Sequence, residues 1–138
     1  MDVVWSATEL RSRRFRPAPV RSGPAELDHH FRQLRRRRIR GYIEVKHGNV
    51  ESPQLTIGFR GEYAVVHMLV VDPYAQSFLL AGDGTVPHEA YVQVPVIDEL
   101  ARFTGDVVMD VHRAWALVQA YLRTGRAGEL GEWHPLQA

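Results

Sequence analysis

Seven histidines offer the first prospect of chemistry in this chain: His29, His30, His47, His67, His88, His112 and His134. None of them forms H-E-x-x-H, H-x-H or another spacing that places two ring nitrogens on one metal, so surface or hydrogen-bonded roles are expected. His88-Glu89 has the look of the histidine and general base of a zinc deaminase, but those sites add two cysteines, and the chain has none. The stretch Gly82-Asp83-Gly84-Thr85 carries neither a P-loop nor a G-x-G-x-x-G pattern and reads as a turn. No G-x-S-x-G elbow is present, and Ser6, Ser12, Ser22, Ser52 and Ser77 fall near loops or edges. The residues therefore predict no catalytic group, no cofactor and no metal.

Charge is the stronger signal. Residues 1–40 hold 11 Lys+Arg against 4 Asp+Glu, a balance of +7, and residues 41–138 hold 6 against 12, a balance of −6. The basic runs are Arg11-Ser12-Arg13-Arg14 and Arg35-Arg36-Arg37-Arg38. Clustered arginine is the electrostatic footprint of phosphate binding. Against that stand the acidic remainder and the absence of an aromatic-rich stacking pattern of the RNA-recognition kind or a helix-turn-helix pair, so the second run reads as easily as a solvated helix face. An acidic body suits a basic partner.

The elements that must position these residues follow from periodicity. A length of 138 residues fits one domain with a core of its own. Residues 1–22 are expected to hold a first strand, Val3 to Ser6, and a basic loop over 11–22 containing Pro17 and Pro19, ahead of a single α+β domain over 23–138. Pro24 in a first turn, with Leu27, Phe31 and Leu34 at spacings of 4 and 3, predicts a helix over about 24–38. Beyond Gly41 the period falls to two: Tyr42 to Val45, Leu55 to Phe59 and Tyr63 to Val71 read as strands, with Arg60-Gly61 in a tight hairpin. Asp72-Pro73 ends the third of these, Ser77 to Leu80 and Ala90 to Ile97 read as two more strands, and Arg102-Phe103 as a possible short one. Val111, Ala114, Trp115, Val118, Tyr121 and Leu122 share one stripe of a helix over about 109–123, with Gly125 at its C-cap. The fold expected is α+β: an antiparallel β-meander sheet with two helices packed on one face. The opening MDVVWSATEL has no secretory pattern, no stretch reaches the ~18 apolar residues of a membrane helix, and without cysteine a reducing, cytoplasmic setting is expected.

The order of helix, meander with Leu55-Thr56-Ile57-Gly58, Gly-Asp-Gly turn, and a last helix running through Leu122-Arg123-Thr124-Gly125 to Glu132-Trp133 resembles a known family over roughly Ala25 to Pro135. It is similar to the first-numbered immunity family of bacterial polymorphic toxin systems, whose members typically accompany toxins with nucleic-acid deaminase domains. The long basic N-terminal segment departs from that family's pattern.

The resemblance implies a protein that binds a cognate toxin and occludes its active site, with no catalysis, cofactor, membrane or direct nucleic-acid contact; it fixes no oligomeric state. Acidic side chains beside aromatics at turns are the contact residues this suggests: Glu62 and Tyr63, Asp72 and Tyr74, Asp83, and Glu89 and Tyr91. Gly58, Trp115, Gly125 and Trp133 resemble family positions and are expected to serve the fold. The alternative is a nucleic-acid-binding or regulatory module using the basic N-terminal segment.

Overall fold

The computed structural model describes residues 2–48, 53–71 and 73–136. In chain order its elements are β1 (Val3–Thr8), β2 (Phe15–Ser22), α1 (Pro24–Arg36), β3 (Gly41–His47), β4 (Gln54–Arg60), β5 (Tyr63–Val70), β6 (Gln76–Leu80), β7 (Tyr91–Val96), β8 (Glu99–Thr104), β9 (Met109–Asp110), α2 (Val111–Thr124) and β10 (Trp133–Pro135). The main sheet runs β10-β6-β5-β4-β3-β1-β2, with β9 paired to β5 and every pairing antiparallel.

Alternation along the strands assigns the two faces of the sheet. Val3 and Ala7, Ile43 and Val45, Leu55, Ile57 and Phe59, and Ala64, Val66 and Met68 point to one side, where they meet Leu27, Phe31 and Leu34 of α1 and the apolar stripe of α2. Both helices thus lie on one face of an antiparallel sheet, the α+β arrangement read from periodicity. Trp115 is the keystone of that layer. Its ring stacks on Phe31 with centroids 4.1 Å apart, and its Nε1 donates to Asp28 Oδ1 at 2.8 Å. Burial disfavours the Asp28 carboxylate, but hydrogen bonds from Arg32 and Trp115 outweigh it and hold its pKa below the ordinary value.

Several expectations are corrected. Residues 11–22 are not a loop: Phe15–Ser22 is a strand, and Pro17 and Pro19 fit because β2 is the outermost strand on that side. β1 lies between β2 and β3, so the N-terminal residues are built into the sheet. α1 stops at Arg36, because Arg38 adopts a left-handed φ of 56°. α2 begins at Val111, since Asp110 serves as N-cap and accepts from the N–H groups of His112 and Arg113 at 2.9 and 3.2 Å. Gly125 closes that helix at φ 70°, its N–H donating to Tyr121 O. Trp133 belongs to the edge strand β10, and its Nε1 donates to Ala127 O at 2.9 Å.

The largest difference concerns β7 and β8. Instead of extending the meander, they form a separate hairpin against the sheet face opposite the helices, sealed by Val65, Val86, Val94 and Val108. Gly58 makes this possible: a Cβ there would come closer than 3.0 Å to the Pro95 carbonyl oxygen, a separation real side chains do not show. His67 lies beneath this hairpin, edge-on to Phe103 with centroids 5.6 Å apart. Burial lowers its pKa to about 4, and its Nδ1 has no hydrogen-bond partner, unlike the surface or hydrogen-bonded histidine expected. His30 fits that expectation, with Nε2 2.8 Å from Thr8 O.

Candidate functional site

The β7–β8 hairpin and the β4–β5 turn enclose an open groove of about 590 Å³. One wall is the turn itself, where Arg60 pairs with Tyr63 and Gly61-Glu62 form the loop. The other wall is Tyr91 and Gln93 of β7 with Arg102 of β8, which pairs with Gln93. Alternation puts Tyr91, Gln93 and Arg102 on the solvent side of their hairpin while Val92, Val94 and Phe103 face the sheet. Tyr63 is 38% exposed and Tyr91 61%. The Arg102 guanidinium lies over the Tyr91 ring, 4.4 Å from its centroid, which fixes both groups in a cation–π contact.

The turn is held from below by α1. Arg35, with only 20% of its side chain exposed, donates from Nη1 to Gly61 O and places Nη2 3.6 Å from a Glu62 carboxylate oxygen. The run Arg35 to Arg38 is therefore not a uniform solvated face. Arg35 is an anchor for the groove, Arg36 and Arg37 are exposed, and Arg38 is turned aside by its left-handed backbone. The Val111 N–H donates to Glu62 O at 2.9 Å, and Tyr63 pairs with Asp110, so α2 and β9 brace the same turn.

Of the residues singled out in the sequence, Glu62, Tyr63 and Tyr91 come together in this groove. Asp83 stands apart in a turn role: Oδ1 accepts from the Thr85 N–H at 3.0 Å and Oδ2 from the Asp110 N–H at 3.2 Å. Burial raises its pKa, but these hydrogen bonds prevail and leave it below the usual value. Tyr74 and Glu89 are exposed in connections outside the groove lining, and Asp72 lies outside the described residues. Arg60, Gln93 and Arg102 escaped sequence reasoning. For Arg102 the available signal is its place next to Phe103, since neighbouring residues of a strand face opposite sides.

The groove presents two aromatic faces, guanidinium and amide donors and one carboxylate, which is contact chemistry. Among the described residues no three histidine, aspartate or glutamate side chains gather in a way that could hold a metal ion, and no helix is long and apolar enough to cross a membrane. No family model and no curated protein sequence matches the chain.

Proposed function

We propose that this chain is an immunity protein: it binds a cognate toxin, with a nucleic-acid deaminase domain as the expected partner, and neutralises it by covering the toxin's active site. The observation that supports this reading best is the convergence of Tyr63, Tyr91 and an immobilised Arg102 on one open groove, the residue types that dominate binding energy at protein interfaces. Pre-organisation matters as much as composition. Arg35 fixes the Glu62 turn, and Arg102 and Tyr91 hold each other, so little side-chain freedom is left to lose on association. The flank formed by Asp83 and Asp110 supplies negative charge beside Tyr63, which suits a toxin surface evolved to grip phosphates. Such a protein acts by occlusion in the cytoplasm and needs neither a cofactor nor a catalytic group of its own.

The experiment is co-expression with the protein encoded in the neighbouring reading frame, scored by growth and by co-purification. A stable complex that restores growth is expected. Tyr91→Ala combined with Tyr63→Ala should weaken that complex by about 30- to 900-fold, the loss of two interface aromatics of ~1–2 kcal/mol each. No complex and no rescue by the unaltered chain would refute the reading; a complex indifferent to both tyrosine changes would place the docking surface elsewhere.

A further inference from the structure

The groove does not end at Arg60. A cleft of about 400 Å³ continues from Arg60 and Gly61 to Arg13, Arg38 and Arg40. A third, of about 220 Å³, carries on from Arg13 and Arg40 to Arg14 and the β7–β8 turn at Ile97 and Asp98. Each shares two residues with the next, so Arg14, Arg13, Arg40, Arg38 and Arg60 form one track leading to Tyr63, Tyr91 and Arg102. These arginines come from the β1–β2 turn, the α1–β3 connection, the end of β4 and β8. Folding, not a local run, assembles them.

Three observations set the track apart from an ordinary charged surface. Among the described residues none of these six arginines makes an ion pair; Arg11, Arg36, Arg37, Lys46, Arg113 and Arg123 make none either, but they line none of these three connected clefts. The two carboxylates that line these clefts are engaged elsewhere: Asp98 accepts from the Phe15 N–H at 2.7 Å, and Glu62 pairs with Arg35. Second, the non-glycine residues with left-handed backbones among the described residues are Arg13, Arg38 and Ile97, at φ 60°, 56° and 61°, and all three line these two clefts. Such conformations are costly for side-chain-bearing residues and cluster where function demands a particular display. Third, the track ends on an aromatic platform, which no linear motif revealed because its members come from β5 and β7.

We propose that this track binds single-stranded nucleic acid, with phosphates on the arginines and bases stacked on Tyr63 and Tyr91. The cations are all arginine, whose planar fork pairs bidentately with phosphate and stacks on rings, as Arg102 already does on Tyr91. A groove of positive charge leading to exposed aromatic faces is the arrangement that tracks a single strand; a duplex keeps its bases stacked away from such a platform. The inference goes beyond the toxin reading and stands without it, since it needs no protein partner.

The test uses the purified full chain and fluorescence anisotropy with labelled oligouridine and oligodeoxythymidine of roughly 12 nucleotides, within the span a single-strand site covers. Five arginines on phosphates give a log–log salt slope near −3.5, so affinity should fall about 100-fold between ~50 and ~200 mM salt. The triple change Arg14→Ser, Arg40→Ser and Arg60→Ser should flatten the slope to about −1.4. Tyr91→Ala should cost about tenfold or more in affinity with the slope unchanged, and Arg123→Ser, on the exposed side of α2, should leave both quantities as they were. A difference between the two oligonucleotides would assign RNA or DNA. Absence of binding at low salt, a slope untouched by the triple change, or equal binding of a duplex, polyglutamate or anionic vesicles would overturn the proposal.

Discussion

Gly58→Ala tests the central architectural claim, that the β7–β8 hairpin lies directly on β4. The added methyl would sit closer than 3.0 Å to the Pro95 carbonyl oxygen, and that oxygen belongs to backbone, so no side-chain rotation relieves the clash. Forcing a methyl into a filled space costs roughly 1–3 kcal/mol. Opposing it is the burial of Val65, Val86, Val94 and Val108, which the hairpin would forfeit if it detached; a fully buried valine contributes about 1.5 kcal/mol or more. Detachment would cost several times the strain, so the hairpin should shift rather than leave. Denaturant unfolding should show a loss of about 1–3 kcal/mol with little change in m-value. Hydrogen exchange should rise across residues 91–104 while the peptides of α1 and α2 stay protected. Gly128→Ala, where nothing lies within 4 Å of the new methyl, is the matched control. Unchanged stability and unchanged exchange at Gly58→Ala would mean that the hairpin does not rest on this strand, and the groove it forms with the β4–β5 turn would fall with it.

Trp115→Ala removes the ring stacked on Phe31 and a donor to Asp28, so thermal or chemical unfolding should reveal a loss of ~3–5 kcal/mol; a shift of a few tenths would show that α2 does not pack as described. His67 gives a pH dependence: its folded pKa of about 4 lies below the unfolded value of ~6.5, so the folded state binds fewer protons between them, and its contribution is complete above pH ~6.5 and lost as pH falls toward 4. The loss amounts to about 3 kcal/mol, partly offset by Glu44, whose burial raises its pKa and acts in the opposite sense, and His67→Gln should flatten the stability profile in that window; an unaltered profile would refute the assignment.

What was legible in the sequence was whatever depends on local period. The stripe Val111, Ala114, Trp115, Val118 and the spacing of Leu27, Phe31 and Leu34 fix two helices and the face they share, because helical packing repeats the sequence pattern directly. The meander from Gly41 to Leu80 was readable for the same reason. Residues 15–22 were not: FRPAPVRS has two prolines and no apolar alternation, and it becomes a strand only because β1 offers it an edge. Nor could periodicity say that β7 leaves the sheet. That outcome rests on the missing side chain at Gly58, and a glycine inside a strand is compatible with a bulge, a bend or a close approach. The place of β1 between β2 and β3 has a practical consequence as well. Deleting residues 1–22 to probe the basic segment would remove an interior strand bearing buried Val3 and Ala7, so point changes are the sound way to separate charge from fold.

The charge division seen along the chain is a poor guide to charge on the surface. By segment, residues 1–40 are basic and the remainder acidic, yet the arginine track takes Arg60 and Arg102 from the acidic part, while Arg16, Arg21, Arg32 and Arg35 of the basic part are neutralised by carboxylates. Folding sorts the arginines by partner rather than by position. It leaves a boundary at the β4–β5 turn: Asp110 and Asp83 lie on the β9 side of Tyr63, and Arg60, Arg40 and Arg38 on the other. A surface with two charged flanks about an aromatic centre can orient a partner in one sense only, because reversal would bring like charges together. In the proposed complex the tyrosines would supply the affinity, and the flanks would select which partner reaches them and which way round it lands.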